Sequence, residues 1–253
     1  MQSRKMVEYS FPELDSLVLI GLSDLHLGSP ECHEKKLIGF LEKWGKQDNV
    51  RFVLAGDLID NGLKQSKTEC LLARLNPLEQ VNRVVEILEP YADKILLLLD
   101  GNHEGRTLKE TAIRIGELIC LKLGIPDKFC TDATGYLKLS VGLRKNGRAK
   151  HPIYSVAVHH GASKGKVRKA APVIGCDLMM VGHTHQPEYF PIERMEVDLR
   201  AGLVNYKRTR VTTLTSWLQY GGYGEEAMYC PSSIAPNRAI LYGGEHDIEV
   251  VCT

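Results

Sequence analysis

The chain has 253 residues, 32 Lys and Arg against 31 Asp and Glu, a formal charge of +1 and 43% hydrophobic residues. That balance is ordinary for a soluble globular protein and does not by itself suggest a polyanion partner, so any basic surface must be local. Seven scattered cysteines with no CxxC pair exclude a disulfide framework and a thiolate zinc site, and fit a reducing, cytoplasmic setting.

The first apolar run, Leu17 to Leu22, is too short for a signal peptide or a membrane span, and no membrane association is expected. The length suits one large α/β domain over 1–253. Residues 1–15 read as a lead-in and 16–23 as the first buried strand. From Glu31 to Gln47 the positions Leu37, Phe40, Leu41 and Trp44 recur at i, i+3, i+4 and i+7, which predicts an amphipathic helix on a sheet face. The run Arg51 to Ala55 is the second strand, ending on Gly56-Asp57. Helices are predicted over 66–75 and 77–89, the second with Asn76 as N-cap, Pro77 as first helical residue and a stripe of Val81, Val84, Val85 and Leu88. Pro90 ends it, and a third strand begins near Lys94. A further helix is predicted from Leu108 to about Leu123, with Thr107 as N-cap and Gly124 beyond its end. This alternation argues for a parallel sheet. Beyond Gly135, segments near 135–143, 153–158, 177–181, 197–204, 210–218, 237–242 and 247–252 read as strands with little helix between them. They predict a second sheet packed on the first.

Five of these apolar runs end in side chains that bind metals: Asp24-Leu25-His26, Gly56-Asp57 with Asp60 three residues on, Asp100-Gly101-Asn102-His103-Glu104, His159-His160, and Gly182-His183-Thr184-His185. Parallel sheets place their sites beyond the carboxyl ends of the strands, so the five edges can converge on one crevice. Asp24, His26, Asp57, Asn102, His159 or His160, His183 and His185 supply carboxylate and amide oxygen with imidazole nitrogen. That donor set suits hard or borderline divalent ions and is too large for a single catalytic one. Two ions sharing a carboxylate account for it.

In order and spacing these five motifs resemble those of the calcineurin-like metallophosphoesterase superfamily, over residues 24–185. The resemblance implies an α/β fold, a four-layer αββα sandwich of two mixed sheets flanked by helices with a dinuclear site at the strand ends. It implies that Asp24, His26 and His185 hold one ion, Asn102, His183 and the motif-four histidine the other, and that Asp57 bridges them. Family members place that histidine directly after the strand, which favours His159 over His160. The implied reaction is in-line attack on phosphorus by a metal-bridging hydroxide, with His103 serving the leaving oxygen and Asp60 orienting His103. Asn102, His103 and Asp60 are thus the expected catalytic group.

Asp60 stands where purple acid phosphatases carry a tyrosine, so Mn²⁺ is preferred as the metal, with Zn²⁺ or Fe²⁺ as alternatives. Asn61-Gly62 stands where serine/threonine protein phosphatases carry Arg-Gly, so a phosphate-binding arginine is absent there and Arg106 is a candidate substitute. His160, Lys164, Lys166 and Tyr223 are further candidate substrate contacts, although the run Ser163 to Lys169 reads first as a solvated loop. Glu104 reads equally as part of the motif and as a salt-bridge residue. The leading expectation is a phosphodiesterase, or a phosphatase, similar to bacterial and phage-type members of the superfamily. Small phosphoesters or nucleic-acid ends are its expected substrates; a DNA or RNA nuclease of the same superfamily is the rival, and a protein phosphatase and a metal-binding scaffold rank below it.

Overall fold

A computed structural model describes residues 6–63, 73–142, 151–161, 163–226, 228, 231 and 234–252, apart from the side chains of Lys164, Tyr223 and Gly224. The helix expected over 66–75 falls on residues 66–72 outside that set, and 73–75 are not helical. The chain order is β1 (Val7–Phe11), β2 (Ser16–Leu22), α1 (Glu34–Trp44), β3 (Val50–Leu54), α2 (Pro77–Leu88), a 3₁₀ turn to Lys94, β4 (Ile95–Leu99), α3 (Glu104–Thr111), α4 (Ile115–Lys122), a second 3₁₀ turn (Pro126–Lys128), β5 (Phe129–Cys130), β6 (Thr134–Val141), β7 (Ile153–His159), α5 (Lys164–Ile174), β8 (Leu178–Val181), β9 (Glu188–Asp198), β10 (Leu203–Thr213), α6 (Gly222–Glu226), β11 (Arg238–Tyr242) and β12 (Ile248–Val251).

These strands form two six-stranded mixed sheets, ordered β12-β11-β2-β3-β4-β5 and β1-β6-β7-β8-β10-β9. Alternation within each strand builds the layers, because successive side chains leave a strand on opposite faces. Leu17 and Leu19 of β2, Val53 of β3, Leu137 and Leu139 of β6, Val156 and Val158 of β7 and Met180 of β8 share one core between the sheets. Their neighbours Val18, Ile20 and Phe52 face outward, where Leu37 and Leu41 of α1, Val81 and Val84 of α2 and Ile119 of α4 cover them. On the opposite outer face, Val167 and Ala171 of α5 cover Ala157, Met179 and Val181. The result is helix, sheet, sheet, helix.

Asn76 accepts from the backbone N–H groups of Leu78 and Glu79 while Glu79 returns to the cap N–H, so α2 starts at Pro77 on a full capping box, as expected. Four expectations are corrected. The lead-in contains β1, which lies parallel to β6 at a sheet edge. The helix predicted over 108–123 is two helices, because Ala112 closes α3 in the left-handed region at φ 61°. The supposed solvated loop after His160 is α5, whose apolar positions 167, 171 and 174 lie at i, i+4 and i+7 behind a basic, glycine-bearing start. The strand predicted near 197–204 is instead the turn of a long hairpin of β9 and β10, eleven residues each.

Candidate metal centre

All five motifs leave the carboxyl ends of β2, β3, β4, β7 and β8. Each chain end must bend sharply to face its neighbours, and the backbone does so in the left-handed region: Asp24, His26, Asp57, His183 and His185 have φ between 47° and 69°. For non-glycine residues that conformation costs about 1–2 kcal/mol each, and such strain persists only where surrounding contacts over-determine it. Those contacts are visible. The N–H groups of Asp24, His26 and Leu27 donate to the carbonyls of Gly56, Asp57 and Leu58, Asp24 Oδ2 accepts from His183 N at 2.9 Å, and Asp57 Oδ1 accepts from His103 N at 2.8 Å.

Glu104 holds the loop that carries Asp57. Among the described residues its buried carboxylate forms no ion pair; it accepts four backbone N–H bonds, from Asp57 and Gly101 on Oε2 and from Leu58 and Ile59 on Oε1, at 2.8 to 3.2 Å. Burial, with Asp57 and Asp100 nearby, pushes its pKa up to about 7 against the pull of those donors.

Three groups of donor atoms result among the described residues: His26, Asp60 and His103 form one, and the other two lie within the expected ligand sets. In the first of those two, Asp24 Oδ1 lies 3.1 Å from His185 Nε2 and 3.9 Å from His26 Nε2, and the two imidazole nitrogens are 3.3 Å apart. A divalent ion bonded at about 2.0–2.2 Å sets neighbouring ligands roughly 3 to 3.4 Å apart, so two of the three spacings are those of a coordination shell and the one between Asp24 and His26 is wider. In the second, Asp57, His160 and His183 converge. His160 Nδ1 donates to Ala55 O at 2.8 Å. Its Nε2 then faces Asn102 Oδ1 at 2.9 Å and Asp57 Oδ2 at 3.2 Å. A neutral ring would there aim a lone pair at two oxygens, and either a proton or a cation between the three atoms resolves the repulsion. Burial disfavours charge on His160, but its hydrogen bond to Asp57 and that carboxylate's charge outweigh burial and lift the ring to about 9. Burial likewise raises Asp57, and His160, His26 and His103 overcome it and hold the carboxyl below the usual range. His26 goes the other way: burial and the His103 ring beside it depress its pKa well below the usual value, and its Nδ1 is buried without a hydrogen-bond partner.

The geometry corrects the motif-four expectation. His159 stands on the outer face of β7 with Ala157, and its Nδ1 accepts from Gly161 N; His160 continues the inner row of Tyr154, Val156 and Val158. The signal was in the strand's parity, since the row ending at 158 is the more apolar. Asp60 meets His103 as expected, but through its main chain: His103 Nδ1 donates to the carbonyl of Asp60 at 2.5 Å, while the carboxylate stays 3.7 Å away. Arg106 donates to Asp60 O at 3.0 Å and Asn61 O at 3.2 Å and meets His103 Nε2 at 3.0 Å. Two supports escaped the sequence reading. Asn61, fully buried, donates to His103 O and Thr107 Oγ1, and Gln80 accepts from Asn61 N. A glutamine in the apolar stripe of α2 was the available sign. Lys166 is exposed on α5, and the side chains of Lys164 and Tyr223 lie outside the described residues.

The sequence profile of calcineurin-like phosphoesterases matches residues 17–187. The chain belongs to the calcineurin-like phosphoesterase family. The family is one of dinuclear metal dependence, and this member carries histidine and aspartate clusters able to hold metal ions. No curated protein sequence matches it significantly. Among solved structures it is similar to an archaeal phosphodiesterase (16% identity, TM-score 0.43, covering 94% of this chain and 100% of that one). It is also similar to Vps29 of Entamoeba histolytica, described as complexed with Zn²⁺ (11%, 0.41, 93% and 99%), and to vacuolar protein sorting 29 of Cryptosporidium parvum (13%, 0.43, 94% and 98%). Among the described residues of this family member, no helix is long and apolar enough to cross a membrane.

Proposed function

We propose that this family member is a metal-dependent phosphodiesterase. Asp24, His26 and His185 would hold one divalent ion, Asn102, His160 and His183 the second, and Asp57 both, with Mn²⁺ preferred for a set mixing carboxylate and amide oxygen with imidazole. The reading rests chiefly on His160, whose Nε2 faces two oxygens while its other nitrogen is committed to Ala55 O. That carbonyl bond is the usual means of fixing a ligand histidine's tautomer. Such a metal pair, when bound, neutralises phosphoryl oxygens and supplies a nucleophile at neutral pH.

The remaining work falls to the chain. Glu104 and the His103 N–H fix both ends of the Asp57 loop, so the shared carboxylate is held in place before substrate arrives. The bond to Asp60 O commits one proton of His103 to Nδ1, so a ring that takes up a second proton on Nε2, 3.8 Å from Asp57 Oδ2, would have one to give to the leaving oxygen and would return to the singly protonated form on doing so. Arg106 is the cation that touches this cluster among the described residues, and its Nη atoms are already engaged by two carbonyls and His103. That commitment favours a singly charged diester over a dianionic monoester, whose extra charge asks for a free cation.

The test compares hydrolysis of bis-p-nitrophenyl phosphate and p-nitrophenyl phosphate with Mn²⁺, using Asp57→Asn as the blank, alongside metal content of dialysed protein. Diester cleavage and bound metal, both lost in the variant, are expected. Faster monoester cleavage would reverse the substrate class, and wild-type protein that retains no metal would sink the reading.

A further inference from the structure

The β9–β10 hairpin carries a face that the sandwich does not cover. At its base, Phe190, Ile192 and Val211 pack under α5. On the other side, Arg210 reaches Asp247 in the β11–β12 turn, and beyond that pair no described element lies over the ribbon. The register places Met195 opposite Tyr206 and Val197 opposite Val204. Directly opposed residues point to the same face, so these four form one apolar surface continuing the core-facing side of the second sheet past the edge of the first. With Leu199 at the turn, they are 54% to 90% exposed. Together they expose about 700 Å² of largely apolar surface, above the roughly 300–600 Å² of a typical monomer's largest patch.

We propose that this arm is the interface for a second copy of the chain, packed face to face about a two-fold axis. The area points to a copy, because two such faces bury at most about 1,400 Å² in all, which reaches the range of stable protein interfaces. The charges point the same way. The face ends toward the body at the Glu193–Arg208 ion pair and toward the tip at the turn holding Arg200. A two-fold mate running antiparallel sets the Arg200 turn of each arm over the Glu193–Arg208 pair of the other, so polar ends meet polar ends and the apolar middles coincide, as a self-complementary patch requires.

Light scattering during gel filtration and sedimentation equilibrium of the full chain, from about 1 to 100 μM, test this. The wild type should run at twice 28.3 kDa at the upper concentrations. Met195→Lys with Tyr206→Lys should run as a monomer, with the dissociation constant raised by about 10² or more, since central aromatic anchors dominate such interfaces. Its circular dichroism and thermal midpoint serve as the fold check, and Tyr206→Ser, a milder change, should give an intermediate constant. A wild type monomeric throughout, or a folded double variant still dimeric, would overturn the proposal. So would a monomeric wild type that floats with vesicles of mixed zwitterionic and anionic phospholipid, which would assign the arm to a lipid surface.

Discussion

Replacing Glu104 with Gln tests whether a carboxylate held by backbone N–H groups, with no ionic partner among the described residues, organises the centre. The four backbone donors reach its two oxygens in pairs: Asp57 N and Gly101 N at 2.8 and 2.9 Å on Oε2, Leu58 N and Ile59 N at 2.8 and 3.2 Å on Oε1. A glutamine of nearly the same shape offers one oxygen and one NH₂ group. Whichever way the amide turns, one pair of buried N–H groups faces another donor. Each buried donor left unsatisfied costs about 1–3 kcal/mol, for a gross loss of roughly 2–6 kcal/mol. Removing a buried negative charge beside Asp57 returns part of that, so a net loss of about 3 kcal/mol is expected at pH 8, where Glu104 is ionised. With a urea m-value of about 2–3 kcal/mol/M, the midpoint should fall by roughly 1 M. The Asp57 loop is the one released, so metal content after dialysis should fall in the same variant. A midpoint within 0.2 M of wild type, about a fifth of the expected shift, together with full metal retention, would refute the clamp.

His160→Ala should lower metal content after dialysis while His159→Ala leaves it unchanged; the opposite pattern would restore the residue that directly follows the strand. His103→Ala should keep its metal but lose about 10²–10⁴ in turnover, the usual contribution of a positioned acid or base, and undiminished turnover would remove His103 from the reaction. A Cβ on Gly182 would collide with Ser23 Oγ and lie 3.0 Å from Asp24 Oδ2. Gly182→Ala should therefore destabilise by about 1–3 kcal/mol in urea titration and weaken metal binding, since overpacking here displaces Asp24. A variant matching wild type in both would show that the strand ends are looser than their contacts imply.

Much of the architecture was legible because burial imposes a period on the sequence. Val53 and Leu19 fill one core while Phe52 and Ile20 fill the other, and such runs of hydrophobic residues broken by Gly-Asp or Gly-His mark buried strands with their active edges. Asn76-Pro77 was legible for a local reason: the cap and the first helical residue need only each other. What failed lacked either kind of signal. Strand β1, Val7 to Phe11, is an edge strand whose outer residues are exposed, so its composition resembles that of a tail. Helix α5 mixes lysine, glycine and Pro172 and forms because Val167 and Ala171 have a sheet to rest on, which is a tertiary cause. Ala112 turns left-handed without a glycine to announce it.

The candidate centre divides along the same line. Its donors were legible because aspartate and histidine at the end of an apolar strand have few other uses. Its supports were not, because a main-chain partner leaves no mark on composition. Glu104 binds four N–H groups, His103 leans on Asp60 O, His160 on Ala55 O, and Asn61 on His103 O, and in each case one partner is a peptide group that any residue would supply. The choice between His159 and His160 joins the two classes. Chain position alone favours the first histidine, whereas Tyr154, Val156 and Val158 define an inner row that can only continue to His160. Where two adjacent residues offer the same donor atom at a strand end, the face set by the preceding apolar row decides which one enters the site, and the neighbour is left to outer packing.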